Sequence, residues 1–388
     1  MDTTLTEEQE LLADVARRIA ERAPGRPTSG PVHREGPGGA DRPAGLHEAT
    51  AAPEDSWQPV AEAGLVALRL PAESGGGAGG VEVALVAEAF GRVVSPLPYI
   101  GPVLAAELLA TAGAPPDLLT AVGAGARRMT IALTPDLTGV GRTGDTLLAW
   151  DAAGASEVVA VHNDADGQSS VVLLPSQATP LAAADLTRSL AELPALSPDM
   201  TPVPVGYPLD EDAFRRWEAL AQVLLCADMV GAMAGGLGLA VEHAKERHQF
   251  GQPIGSFQAI QHLLADQHVS LVASRSATSH AAWAVDALPS NDALDAARIA
   301  KAYVCRRARE VAEAVLQVFG GIGHTWEHVA HLYLRRVLLD RVTLGDESVH
   351  LDHIADALVS TGSASEHRGA PTRGNRGASS SEPWGTPT

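Results

Sequence analysis

A chain of 388 residues, 45% hydrophobic and 19% charged, is long enough for two or three domains around a large core and too apolar for a disordered protein. Its net charge of −19 argues against a nucleic-acid partner, which asks for a basic face to displace counterions, and against an anionic membrane surface. Aromatics make up only 4% while Ala and Gly are plentiful, so the core is expected to be close helix packing around small side chains.

In chain order, residues 1–10 are acidic and polar, without the basic start and apolar core of a secretory signal. Thr6 opens a helix, with Gln9 three residues later completing a capping box, and Leu12, Val15 and Ile19 give it an apolar stripe. From 22 to 55 the sequence turns to Pro, Gly, Ala and scattered charge with no period, which predicts a flexible connection. Helical patterning resumes at Trp57. Gly75, Gly77 and Gly80 satisfy G-x-G-x-x-G before a helix, but Pro71 to Ser74 separate them from any strand and no second strand follows, so a dinucleotide-binding turn is rejected. A further helix is expected over 103–110.

The period changes near Arg127. Short apolar runs at 129–133, 146–150, 157–161 and 170–174, separated by turn clusters, predict a small β domain that continues weakly to about Val205. From Asp210 on, the pattern is helical: 211–246, 256–287, 291–318 and shorter pieces from Thr325 and Asp346, joined by short loops as in an antiparallel bundle. The run 219–241 is apolar enough for a membrane span, with Gly231 and Gly235 spaced as in membrane helix dimers. Asp228 near its centre and Gln222 favour the central helix of a bundle. Cys226 and Cys305 lie in apolar helical patterns and form neither a disulfide framework nor a C-x-x-C site, which points to a reducing cytoplasm. Residues 361–388, rich in Gly, Ser, Pro and Arg, are expected to be a disordered tail.

Two stretches carry chemistry. In Glu246-Arg247-His248-Gln249-Phe250-Gly251-Gln252-Pro253-Ile254-Gly255-Ser256-Phe257-Gln258-Ala259-Ile260, one long helix ends, Gly251 to Pro253 make a sharp link, and another helix starts at about Ser256. Arg247 thus projects from a helix end with a planar fork of donors suited to a pyrophosphate. The block resembles the E-R-x-Q-F-G-x-P-I-x-x-F-Q-x-I segment of the acyl-CoA dehydrogenase family. Gln317-Val318-Phe319-Gly320-Gly321-Ile322-Gly323 is similar to that family's Q-x-x-G-G-x-G segment. The resemblance covers about residues 1–360 and implies an α+β, mainly α fold: an N-terminal helical domain (1–126), a small middle β domain (127–205) and a C-terminal four-helix bundle (206–360). It further implies FAD held with Arg247, Gln249, Phe250, Gln258, Gln317, Gly320 and Gly321, several of which serve a neighbouring subunit's cofactor, and hence a homo- or hetero-oligomer, dimeric or tetrameric, with a related chain.

The reaction the resemblance implies is introduction of an α,β double bond into an acyl-CoA or acyl-carrier thioester, with electron transfer flavoprotein as acceptor. The family's base is a glutamate in a Y-E-G-T loop after a Y-x-x-R-D-like segment, here Tyr333-Leu334-Arg335-Arg336. Laying residues 341–348 over that loop puts Gly345 at the base position. Asp346 and Glu347 are the candidate replacements, and a helix N-cap with a first-turn acid is the competing reading of the same pair. Asp228 is a further acid, for which a buried structural hydrogen bond competes with catalysis. The W-I-T triplet that packs on the family's flavin reads approximately Leu148-Ala149-Trp150. The parts that reach a neighbour's FAD survive better than those that hold the chain's own, so three readings stay open: an autonomous dehydrogenase, a non-catalytic subunit completing a partner's FAD site, and a flavin oxidase or tailoring enzyme. His324, His328 and His331, with His350 and His353, show no H-E-x-x-H order and are read as surface and capping histidines, so no metal is expected.

Overall fold

The computed structural model describes residues 4–23, 57–144, 146–164, 166–176, 178–194, 203–326 and 328–366. The expected connection 22–55 lies outside the described residues apart from Arg22 and Ala23, as does the expected tail from 367 on; residues 361–366, expected to be disordered, instead continue the last helix, whose hydrogen bonds carry past the apolar pattern. Helix α1 (Glu7–Arg22) begins with the expected capping box: Gln9 N–H donates to Thr6 Oγ1 at 3.2 Å, and Thr6 N–H to Gln9 Oε1 at 3.1 Å. Ala16 and Ala20 are its fully buried face. A short α2 (Gln58–Glu62) leads to a 3-10 turn at Ala72–Ser74 and then α3 (Gly80–Gly91), so the glycine triplet follows a turn, not a strand. Next come α4 (Ile100–Thr111) and α5 (Pro116–Gly123). The last of these is not foreseen in the sequence, because Pro115-Pro116 reads as a breaker; proline at the first helical position is in fact pre-set for a helix.

The middle of the chain is a seven-stranded sheet in the order β5-β6-β2-β1-β3-β4-β7, built from Met129–Leu133, Leu147–Trp150, Glu157–Asn163, Ser169–Pro175, Thr179–Leu181, Leu190–Leu193 and Pro204–Val205 for β1 to β7. Every pairing is antiparallel except β1 with β3. β1 and β2 are buried along their whole length, which explains why they read as continuous apolar runs rather than alternating ones.

Three long helices follow: α6 (Glu211–Glu246), α7 (Gln258–Ala287) and α8 (Ser290–Phe319), closed by α9 (Ala330–Val342) and α10 (Glu347–Glu366). α6 is long and apolar enough to cross a membrane, but 83% of its most apolar window is buried inside the protein. It is the bundle's central helix, with α3, α7 and α8 packed on it. Gly231 and Gly235 allow α3 to lie directly on α6: a Cβ at Gly231 would overlap the carbonyl oxygen of Glu88, and one at Gly235 that of Arg92. The small-residue spacing therefore serves close packing inside a globular core.

This contact gives a stability test. Gly231→Val should destabilise the protein by about 3 kcal/mol or prevent folding, since overpacking of a rigid backbone contact has no relief. Gly238 lies one turn further on, exposed and with open space at its Cβ position. Gly238→Ala should raise stability by about 0.5–1 kcal/mol through helix propensity alone. Urea unfolding of both variants measures the contrast.

Candidate functional site

The sharp link after Arg247 is a small hairpin, His248–Gln249 paired with Gln252–Pro253. Phe250 (φ 53°) and Gly251 (φ 80°) form its two-residue turn, and positive φ at both is what a type I′ hairpin requires. Phe250 accepts this conformation without glycine's freedom and stands 92% exposed, its ring edge-on to Phe257 at 6.2 Å. A 3-10 turn, Ile254–Ser256, precedes α7, which therefore starts two residues later than expected. Arg247 caps α6: its N–H donates to His243 O at 2.8 Å, and its carbonyl accepts from Ile254 N at 2.7 Å. Its guanidinium is exposed and has no ion pair among the described residues. Gln249 and Gln258 are exposed beside it.

The second motif lies at the same end of the bundle. Gln317, Gly320 and Gly321 are exposed, and a Cβ at either glycine would meet nothing, so their backbone is open to an incoming group. The two motifs are joined by ring contacts at tilted angles: His243, one turn before Arg247, lies 4.5 Å from Phe319, which lies 4.2 Å from His328. Burial lowers the pKa of His243, with Arg247 adding to the effect. Burial and then His243 lower that of His328. Both shifts favour the neutral imidazole beside the Phe319 ring. Among the described residues no group of three His, Cys, Asp or Glu side chains converges as a metal site. His331 is pushed down to about 4 by burial and Arg335, and its Nδ1 accepts from Arg335 Nε at 3.3 Å.

The loop expected to carry the base is built differently. Gly345 has φ 94°, a conformation that a glutamate would adopt only under strain. Asp346 Oδ1 accepts from Ser348 N at 3.0 Å and Val349 N at 3.3 Å, capping α10. Glu347 is clasped by Arg341 through two bonds of 2.6 Å. The hydrogen bonds from Arg341 hold its carboxyl below the usual carboxylate range and so weaken it as a base. Both acids thus sit in helix-capping and ion-pair geometry.

The strand corresponding to the flavin-packing triplet is sealed. Leu148, Ala149 and Trp150 are 8%, 0% and 1% exposed, and Arg188 lies over the Trp150 ring at 4.3 Å. Arg188, itself buried, anchors a network no local pattern foretells: it reaches Asp151 at 3.1 Å, Asp228 at 2.9 Å and Asp340 at 3.3 Å. Arg336 joins Asp185 at 2.6 Å, Asp228 at 3.2 Å and the Ser95 carbonyl at 2.9 Å. Lys301 Nζ donates to the backbone carbonyls of Asp340 and Thr343. Asp228 is therefore a structural acid bound to two guanidiniums. The sequence signal available was Asp228 in an apolar helix; Arg336 falls on the arginine of the family's Y-x-x-R-D-like pattern and marks nothing unusual, and Asp185 and Arg188 carried no signal.

Burial pushes Asp228 up, but Arg336 and Arg188 outweigh it and hold it below the usual range. Asp340 is pushed well up by burial, against the pull of Arg188 and with the added repulsion of Asp228.

The residues fit a flavin cofactor on one side of the chain and not on the other. The exposed fork of Arg247, the amides of Gln249, Gln258 and Gln317 and the open backbone at Gly320 and Gly321 suit an anionic dinucleotide presented from outside. The strand 147–150 leaves no face free for an isoalloxazine ring within the chain.

Residues 219–359 match the family model described as acyl-CoA dehydrogenase, C-terminal domain. Acyl-CoA dehydrogenase IpdE2 of Mycobacterium tuberculosis is 34% identical over 287 residues, covering 73% of this chain and 80% of that protein. Acyl-CoA dehydrogenase FadE34 of the same organism is 32% identical over 360 residues, covering 87% of this chain but 46% of that protein, so the chain spans about half of that relative's length. Among solved structures, a variant of the steroid ACAD Tcur3481-Tcur3483 superposes with a TM-score of 0.75 at 26% identity, covering 93% of this chain and 100% of that one. The ChsE4-ChsE5 complex of Mycobacterium tuberculosis gives 0.73 at 23% identity over 92% of this chain and 99% of that one, a likeness of fold.

The buried network predicts an asymmetry between its two central acids. Asp228→Asn should cost about 3–5 kcal/mol, because two buried guanidiniums lose an anion. Asp340→Asn replaces a neutral carboxyl with a neutral amide and should cost less than about 1 kcal/mol at pH 5. Asp340's raised pKa contributes stability fully present below its unfolded value of about 4 and lost as pH rises toward the folded one. Asp340→Asn should therefore abolish this loss and match or exceed the parent at pH 8. Urea unfolding at the two pH values checks both statements.

Proposed function

The chain belongs to the acyl-CoA dehydrogenase family, and from that premise we propose that it is the supporting subunit of a heteromeric acyl-CoA dehydrogenase, completing a related partner's FAD site and holding no flavin of its own. The sealed strand 147–150, with Arg188 lying on Trp150 where a flavin ring would pack, is the observation that carries this reading. Gly345 at the base position, and the engagement of Asp346 and Glu347 by α10 and Arg341, support it from the other side of the chemistry. The similar structure Tcur3481-Tcur3483 is named for two components, and a pair of unlike subunits is the arrangement assigned here.

Bound in the partner, FAD accepts the β-hydride of an acyl thioester after a carboxylate has taken the α-proton. This chain's part is to bind and orient. Arg247 presents a bidentate fork to the pyrophosphate, Gln249, Gln258 and Gln317 offer amide donors, Phe250 covers an apolar edge, and the backbone at Gly320 and Gly321 admits close approach. The tilted ring contacts of His243, Phe319 and His328 fix the spacing between those two groups. Electron transfer flavoprotein is the acceptor we assign to the assembly. Buried thiols at Cys226 and Cys305 support a reducing cytoplasm as its compartment. The rival reading, an autonomous dehydrogenase using Asp346 or Glu347, asks an acid to leave its cap or its arginine.

Flavin stoichiometry separates the two. The chain purified alone should carry no FAD, and co-purified with its related partner the complex should hold one FAD per pair of unlike chains. Arg247→Ala should lower FAD retention in that complex at least tenfold, while Asp346→Asn and Glu347→Gln should leave turnover within about twofold. One FAD per chain in the lone protein, bleached by an acyl-CoA, would overturn the proposal in favour of the autonomous enzyme.

A further inference from the structure

A cleft of about 360 Å³ opens between α1, α3, α6 and α7, away from the Arg247 corner, the Gly320 loop and the sealed strand of the sheet. Neither the Arg247 block nor the Gly320 block contributes to it. Its floor is small and apolar, Ala227 of α6 and Ala84 of α3 being buried; Leu85 and Trp283 form its sides. The mouth is flanked by Leu5 and Trp283, each 37% exposed, so apolar surface leads inward from solvent.

One wall is polar in a specific way. Arg275 donates to Glu88 from Nε at 2.9 Å and from Nη2 at 2.6 Å, and both bonds end on the same oxygen, Glu88 Oε1. Neither Arg275 Nη1 nor Glu88 Oε2 has a hydrogen bond among the described residues, so a donor and an acceptor stand side by side on the wall. Ser279 adds a hydroxyl that can serve as either. Thr278, also lining the cleft, spends its hydroxyl on Ser274 O at 2.9 Å and offers the ligand only its methyl group.

We propose that this cleft is a binding site for an uncharged amphipathic small molecule, an apolar body carrying a hydroxyl or carbonyl at one end, with that end at the Arg275–Glu88 pair. The charge balance of the wall excludes a free anion, because the guanidinium is already neutralised and a carboxylate would face Glu88 Oε2. It excludes a cation by the mirror argument with Arg275. A hydroxyl can donate to Glu88 and accept from Arg275 at once, and a carbonyl can accept from Arg275 and Ser279. The volume lies at the lower end of the range for small-molecule sites, and the mixture of apolar lining with a few converging polar groups is what such sites present.

The test uses the full-length chain with decan-1-ol and progesterone as uncharged probes and decanoate as the matched anion, binding being followed by tryptophan fluorescence and by calorimetry. At least one uncharged probe is expected to bind saturably at one per chain, and decan-1-ol at least tenfold more tightly than decanoate. Ser279→Phe, which fills the half-buried mouth, should weaken that binding at least tenfold, and Glu88→Gln, which removes the carboxylate facing an anion and leaves Arg275 unneutralised, should remove the preference for alcohol over acid. Leu85→Trp closes the same cleft from α3 and serves if Ser279→Phe does not fold, thermal unfolding being the check on each variant. Absence of saturable binding by both uncharged probes, undiminished affinity in the filled variants, or tighter binding of decanoate would each overturn the assignment.

Discussion

The buried charge network of Arg188, Arg336 and their aspartates is the constraint on which the arrangement of this chain rests. It draws on the end of β2 through Asp151, on the connection before β6 through Asp185 and Arg188, on the central helix through Asp228, and on α9 through Arg336 and Asp340. Removing such groups from water costs several kcal/mol each, and only mutual pairing offsets that cost. A displaced sheet would strand a guanidinium or a carboxylate, so the sheet and the bundle have one relative position in which the charges are answered. Asp151 extends the same lock into α4, accepting from Tyr99 N at 3.4 Å and Gly101 N at 3.2 Å.

The lock also decides what the interface between sheet and bundle can hold. Arg188 satisfies its charge with carboxylates on one side and covers Trp150 with its guanidinium face on the other, a cation–π contact in a desolvated setting. The space that a flavin ring would need against β2 is thereby filled by the protein's own groups. The Arg247 and Gly320 motifs, at the far end of the long helices, face outward, with no ion pair for the Arg247 guanidinium among the described residues and open backbone at the glycines. The clefts and loops then divide by role: α10 begins on a capped, ion-paired turn where the family pattern has its base, and the cleft beside α1 lies apart from both.

Much of the fold was legible because the period of hydrophobicity carries it. The long helices were found within two residues at most ends, and α1 declared its start through Thr6 and Gln9. Strands β1 to β4 were visible as apolar runs between turn clusters; β5 and β7 are too short and too exposed to show a period. Helix α5 was hidden behind Pro115-Pro116, where a breaker and a favourable first helical residue look alike. The hairpin at Phe250 was hidden by its size, since two-residue strands have no pattern to read.

By itself the sequence determined the family, through two motif blocks whose spacing and residue types few other arrangements share, and it marked the loss of the glutamate expected near Gly345. It also marked Asp228 as an acid out of place in an apolar helix. Only the tertiary structure decided what that acid does, because its partners Arg188 and Arg336 lie 40 and 108 residues away and each looks like an ordinary surface charge in its own segment. The same holds for the meeting of His243, Phe319 and His328 and for the cleft against Arg275. Local pattern records which face of an element is buried; which charges and rings from distant segments share that buried space is settled only when the elements pack.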